Sequence, residues 1–205
     1  DGSITGNIAS YDGGGISNHE YCTLNMNDGS ITGNIASYDG GGISNFGTVT
    51  MNDGSIAGNI ASSGGGICNS YGSILNLNVG SIIGNTALFS GGGIYNGGNV
   101  NLKGGSITEN TASLGGGIFN DDYGTLNLDG GSITENTANI GGGIYSDNSK
   151  VTFDDTQVVV KSNKAYLPDS ESLWYQGWGV YLHSGAPKTT GEFDPTTQVT
   201  GNTHI

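Results

Sequence analysis

The groups in this chain most able to do chemistry are its carboxylates: 18 Asp and Glu residues stand against five lysines, with no arginine. Hydrolysis of a glycoside needs two or three carboxylates converging on one cleft. The adjacent pairs are Asp121-Asp122 and Asp154-Asp155, and sequence neighbours on an extended strand point to opposite faces. They read as acidic turns, so no catalytic residue is assigned. His19, His183 and His204 are too far apart along the repeats to meet at one metal, and Cys22 and Cys68 lack the paired spacing of a zinc site. Asp12 with Asp39, and Asp28 with Asp53, recur in register. Two carboxylates alone make a weak site for a hard cation, and the calcium-binding nonapeptide repeat is absent. No metal and no cofactor is assigned.

The groups must be positioned by something, and composition limits what that is. The chain has 205 residues with 40 glycines, 34 % hydrophobic residues and a formal net charge of −13. Such a balance suits neither a closely packed globular core nor a nucleic-acid partner, which would require a basic stripe to displace counterions. Anionic lipid is disfavoured for the same reason, and no apolar run is long enough to span a bilayer, so no membrane contact is expected from this segment. Cys22 and Cys68 lie in different repeats and in different parts of the repeat, which predicts two free thiols.

Glycine-rich as it is, the chain is strictly periodic. The phrase DGSITGNIASYDGGGISNFGTVTMN, residues 28–52, recurs in worn copies beginning at Asp1, Asp28, Asp53, Val79, Gly104 and Gly130. Within each copy, short alternating segments such as Ser30-Ile31-Thr32, Gly42-Ile43-Ser44 and Thr48-Val49-Thr50-Met51 are separated by Gly, Asn or Asp. That predicts an all-β parallel β-helix, a solenoid with three short strands per coil of about 25 residues. Stacking the copies makes inward columns of Ile31, Ile56 and Ile82, of Ile43, Ile67 and Ile94, and of Val49, Leu75 and Val100 with their counterparts. Two asparagine columns, Asn34-Asn59-Asn85 and Asn45-Asn69-Asn96, fall at bends, where an inward amide satisfies turn backbone and its neighbours above and below.

Six regular coils occupy residues 1–153. Residues 154–205 form divergent coils of the same solenoid, with Asn163 in the asparagine column and an insertion carrying Pro168 and Trp174. Both ends read as cuts through a longer array, as expected for a fragment of a larger protein or a domain whose first coil is covered.

The alternation of GGGI-x-N with GSITxNTA resembles the right-handed parallel β-helix repeats of bacterial and archaeal surface proteins, including adhesin-like proteins and, more distantly, the chlamydial polymorphic outer membrane proteins. The resemblance implies a pectin-lyase-like fold and an extracellular or cell-surface adhesive or stalk role. Lyases that share this architecture pair calcium carboxylates with a basic residue, typically arginine, which this chain lacks. A polysaccharide-active enzyme fragment is therefore the alternative reading. A second alternative is an ice-binding β-solenoid, prompted by the outward columns Thr23, Thr48, Asn99, Thr125 and Asn25, Thr50, Asn76, Asn101, Asn127, Thr152, although Ile74 and Lys150 interrupt the first.

One outward column changes character along the rod, from Ser17 and Ser44 through Cys68 to Tyr95, Phe119, Tyr145 and Tyr181. The residue after each inward Ile must point away from the core. The expectation is a strip of exposed aromatic rings, enlarged by Trp174 and Trp178, that stacks on a host or neighbouring-cell surface glycan or contacts a surface protein. Such a face also permits lateral self-association. Burial of the strip beneath the insertion is the competing expectation.

Overall fold

A computed structural model describes residues 2–153, 158–166, 179–182, 199–200 and 203–204. Trp174, Trp178, Asp154, Asp155 and His183 lie outside the described residues. The chain is all-β, a solenoid of about six turns of about 26 residues with parallel strands and no helix among the described residues.

The second coil shows how the sequence makes the turn. Its strands are Ser30–Thr32, Ile35–Ala36, Ile43–Asn45 and Thr48–Met51. The three expected strands are present in each regular coil, and a fourth of two to five residues joins them in most coils, between the first Asn and the glycine triplet. Every pairing is parallel and follows the repeat, Ile31 beside Ile56, Ile43 beside Ile67, Val49 beside Leu75, with a shift of register between Ala61 and Ser63 in the second sheet. The first sheet has eight strands, the third seven and the fourth six. The second runs as four strands and then three, connected through single bridges at Thr86, Thr111 and Thr137. Beyond residue 153, Val159–Lys161, Lys164–Ala165 and Val180–Leu182 add to the first, second and third sheets.

A thin core fills the tube. From the second coil to the sixth, the isoleucine columns and the paired columns of the fourth sheet are buried, and most of their members are fully so. Burying each such side chain contributes ~1.5–3 kcal/mol, which is how a chain with few apolar residues folds. The second sheet adds a column that composition hides: Ala36, Ala61, Ala87, Ala112, Ala138 and Ala165 point inward, while Ile8, Ile35 and Ile60 on the same short strands face solvent. The corner beside this column is narrow. A Cβ on the neighbouring Gly41 would stand 2.5 Å from the Gly65 carbonyl oxygen and 2.6 Å from that of Ile60.

The asparagine ladders close the corners. Asn59 Nδ2 donates to Asn85 Oδ1 and to the Ile31 carbonyl, and the Asn59 backbone N–H donates to the same Oδ1. The pattern repeats from Asn34 to Asn163, all fully buried. At the other corner Asn45, Asn69, Asn96 and Asn120 are linked side chain to side chain, each Nδ2 donating to the next Oδ1. The sixth coil replaces asparagine by Ser146, and Ser149 fills the gap by accepting from Asn120 at 2.6 Å.

Candidate binding surface

The surface that varies most along the rod is the outer side of the third sheet, reached through the glycine triplet. Gly40 takes a φ of +68°, and a Cβ there would collide with the Ile43 carbonyl and lie 2.6 Å from the Ser44 amide. The chain thus doubles back across the strand that follows. This arch sets a wall residue, the one before the triplet, beside a floor residue, the one after the isoleucine. The floor is the column Ser17, Ser44, Cys68, Tyr95, Phe119, Tyr145, in strict register. The wall is Asp12, Asp39, Ser63, Ser90, Leu114, Ile140. Its members from Asp39 onward are bridged one to the next, and Asp12 is tied in by its Oδ1 accepting the Asp39 backbone N–H at 3.1 Å.

At the aromatic end the arch is packed. Tyr95 and Phe119 stack at 5.4 Å with a 15° interplanar angle, and Phe119 and Tyr145 at 5.1 Å and 8°. The rings point outward from the sheet as expected, but they are not the exposed strip expected: Phe119 is 7 % and Tyr145 9 % exposed. Leu114 and Ile140, like Tyr95, pack against the buried pair Phe119 and Tyr145, so apolar wall meets apolar floor. Tyr95, at the end of the row, is partly buried and donates its hydroxyl to Asp121 Oδ2 at 2.6 Å. Burial first, then that bond, holds the phenol well above its ordinary value. The strand of Tyr181 continues the column beside Tyr145.

No protein-family model, curated protein or solved structure matches this chain. The residues themselves must therefore carry the functional reading.

At the other end, small floor residues leave room. Tyr11, Asp12, Ser17, His19 and Phe46 are among the residues that line a cleft of about 610 Å³. Tyr11 and Tyr38, 74 % and 57 % exposed, stack at 5.8 Å and 12° beside the acidic wall. His19 stacks on Phe46 at 6.4 Å. Further along, exposed Tyr71 and Tyr123 meet edge to face at 5.6 Å. Tyr11, Tyr38, Tyr71 and Tyr123 are among the rings that solvent and partners can reach, and Tyr21, Phe89 and Tyr166 are exposed as well. The column assigned from sequence is not among them, because alternation reveals which way a side chain points and not what lies over it. The missed signal was present five residues upstream: the pairs flanking GGGI run Asp-Ser, Asp-Ser, Ser-Cys, Ser-Tyr, Leu-Phe, Ile-Tyr, so wall and floor change polarity together.

Asp121 is engaged by Tyr95 while Asp122 is exposed, and among the described residues no three His, Cys, Asp or Glu side chains gather. Both cysteines are unbridged; Cys22 is exposed and Cys68 buried, its thiol pushed up by burial and then by Asp39.

Proposed function

We propose that this segment is a non-catalytic β-helix rod of a secreted or surface-displayed protein, serving as stalk and adhesive surface. The observation that carries the reading is the pairing of a regularly stacked tube with reachable aromatic rings at coil spacing, Tyr11 on Tyr38. Nearly parallel rings held by neighbouring coils suit contact with successive sugar rings of a surface glycan, and the strongly acidic surface favours neutral or amino sugars over uronic acids.

The outward asparagine and threonine columns favour no second reading. Asn101 donates to Asn76, Asn127 to Asn101, and Thr152 to Asn127, so that face satisfies itself along the stack.

The test is glycan-array and cell-binding signal for the protein with Tyr11, Tyr38, Tyr71 and Tyr123 changed to Ser. Loss of signal with an unchanged melting temperature supports the adhesive reading. Retained binding, or turnover of a polysaccharide panel by the parent chain, overturns it.

A further inference from the structure

The acidic end of the arch holds two carboxylates with no countercharge and one hydroxyl with no partner. Asp12 and Asp39 stand one above the other, fixed by the bond from the Asp39 backbone N–H to Asp12 Oδ1. No lysine or arginine occurs before Lys103, so this part of the rod offers the pair no fixed cation. Asp39 is partly buried, and its carboxyl is pushed up by burial and by Asp12.

Ser44 supplies an independent observation. Its side chain is 0 % exposed, and its Oγ is the one buried side-chain nitrogen or oxygen among the described residues that lacks a hydrogen-bond partner. In a fold that satisfies every buried ladder amide, an orphaned hydroxyl is out of character, since leaving it bare costs ~1–3 kcal/mol. Ser44 lies on the floor between Ser17 and Cys68, five residues after Asp39 across the triplet. The Cys68 thiol, next in that column, feels the charge of Asp39 and of Asp12. The arch sets the wall position of Asp39 beside the floor position of Ser44, since Gly40 lies against the Ile43 carbonyl and the Ser44 amide and the equivalent wall residue Leu114 packs on the Phe119 and Tyr145 rings.

We propose that the arch of the first two coils binds a hard divalent cation of the calcium type, held by the Asp12 and Asp39 carboxylates and Ser44 Oγ. Ser17, exposed at the mouth of the cleft, and water complete the shell. An all-oxygen set of flexible geometry suits calcium better than magnesium, which demands near-ideal octahedral coordination. It does not suit zinc or copper: His19 is exposed and stacked on Phe46, and the Cys68 thiol is held protonated. This site stands apart from the adhesive reading and does not require it.

The experiment uses the full chain freed of metal with chelator, then titrated with terbium, a luminescent calcium substitute excited through nearby tyrosine, with calcium as competitor. Saturable luminescence displaced by calcium but not by equimolar magnesium is expected. D39N and D12N should each weaken binding by about tenfold or more, and S44A by several-fold. D53N should leave it unchanged, because Asp53 Oδ1 is engaged by the Gly54 N–H in an exposed turn. Absence of saturable binding overturns the proposal. So does wild-type affinity in D39N and D12N, or in S44A.

Discussion

The two ends of the arch solve one packing problem in opposite ways. In the fifth and sixth coils a large floor ring is covered by an aliphatic wall, Phe119 with Leu114 and Tyr145 with Ile140. In the first two, a serine floor lies under an acidic wall, and the large rings sit outside on Tyr11 and Tyr38. Backbone, register and glycine triplet are the same at both ends. The arch is thus a slot of fixed shape whose two side chains are chosen jointly: apolar filling yields stability, and polar filling leaves a partly open site.

The comparison breaks most violently if an acid is placed in the packed end. Leu114→Asp reproduces the Asp39 wall above an aromatic floor, setting an unpaired charge at a half-buried position against the Phe119 and Tyr145 rings without the room that Ser44 leaves. A loss of ~3–5 kcal/mol is expected, read as a collapse of the chemical-denaturation midpoint. Tolerance of Leu114→Asp would mean that wall and floor are independent.

Phe119→Ser imitates the second coil from the other side. It removes the ring that stacks on both Tyr95 and Tyr145 and leaves a cavity beneath Leu114, with an expected cost of ~3–5 kcal/mol, weighted to the lower figure because Leu114 is only partly buried and can settle inward. Glycan binding should persist in the folded fraction. A variant that loses binding and keeps its stability would restore the aromatic column as a contact surface.

The asparagine ladder offers a control that should not distinguish the two ends. Asn59→Ala and Asn110→Ala remove the same bonds, each an amide donating to the next Oδ1 and to an isoleucine carbonyl. Each should cost ~1–3 kcal/mol, from the buried groups left unpaired. Unequal losses in the two variants, measured by urea unfolding, would show that one end of the rod is intrinsically looser and that the arch is not the source of the difference.

Much of this was legible in the sequence, for reasons that mark where legibility stops. A period with isoleucine at one fixed phase and asparagine at another can be satisfied only by stacking, so the sequence alone puts Ile94 and Asn85 with the core. The short second strand was not read, because Ile35-Ala36 is two residues long and its inward member is alanine, which signals neither strand nor core. The site was half legible. Alternation placed Tyr95, Phe119 and Tyr145 on the outer side of the sheet, but the cover over Phe119 and Tyr145 depends on a reversal at the glycine triplet that brings Leu114 and Ile140 back. Periodicity along one strand carries no record of a neighbour five residues upstream.

The smallest effect is the sharpest test of the polar end. Ser44 and Ser73 are both buried serines close to the same sheet, yet Ser73 Oγ donates to Asn69 Oδ1 at 2.8 Å while Ser44 Oγ has no partner. Changing each to alanine removes the same atom and almost the same volume. For Ser73 the change removes its hydroxyl's bonds to Asn69 Oδ1 and to the Ser70 carbonyl, costing ~1 kcal/mol. For Ser44 it removes a group whose desolvation nothing offsets, so in metal-free buffer stability should rise by up to ~1 kcal/mol, a few degrees at most in melting temperature. Opposite signs for the two alanines would show that the slot over Ser44 is held open against the interest of the free chain. If Ser44→Ala instead loses stability without metal, that hydroxyl already has a partner in solution and the polar end is as well packed as the aromatic one.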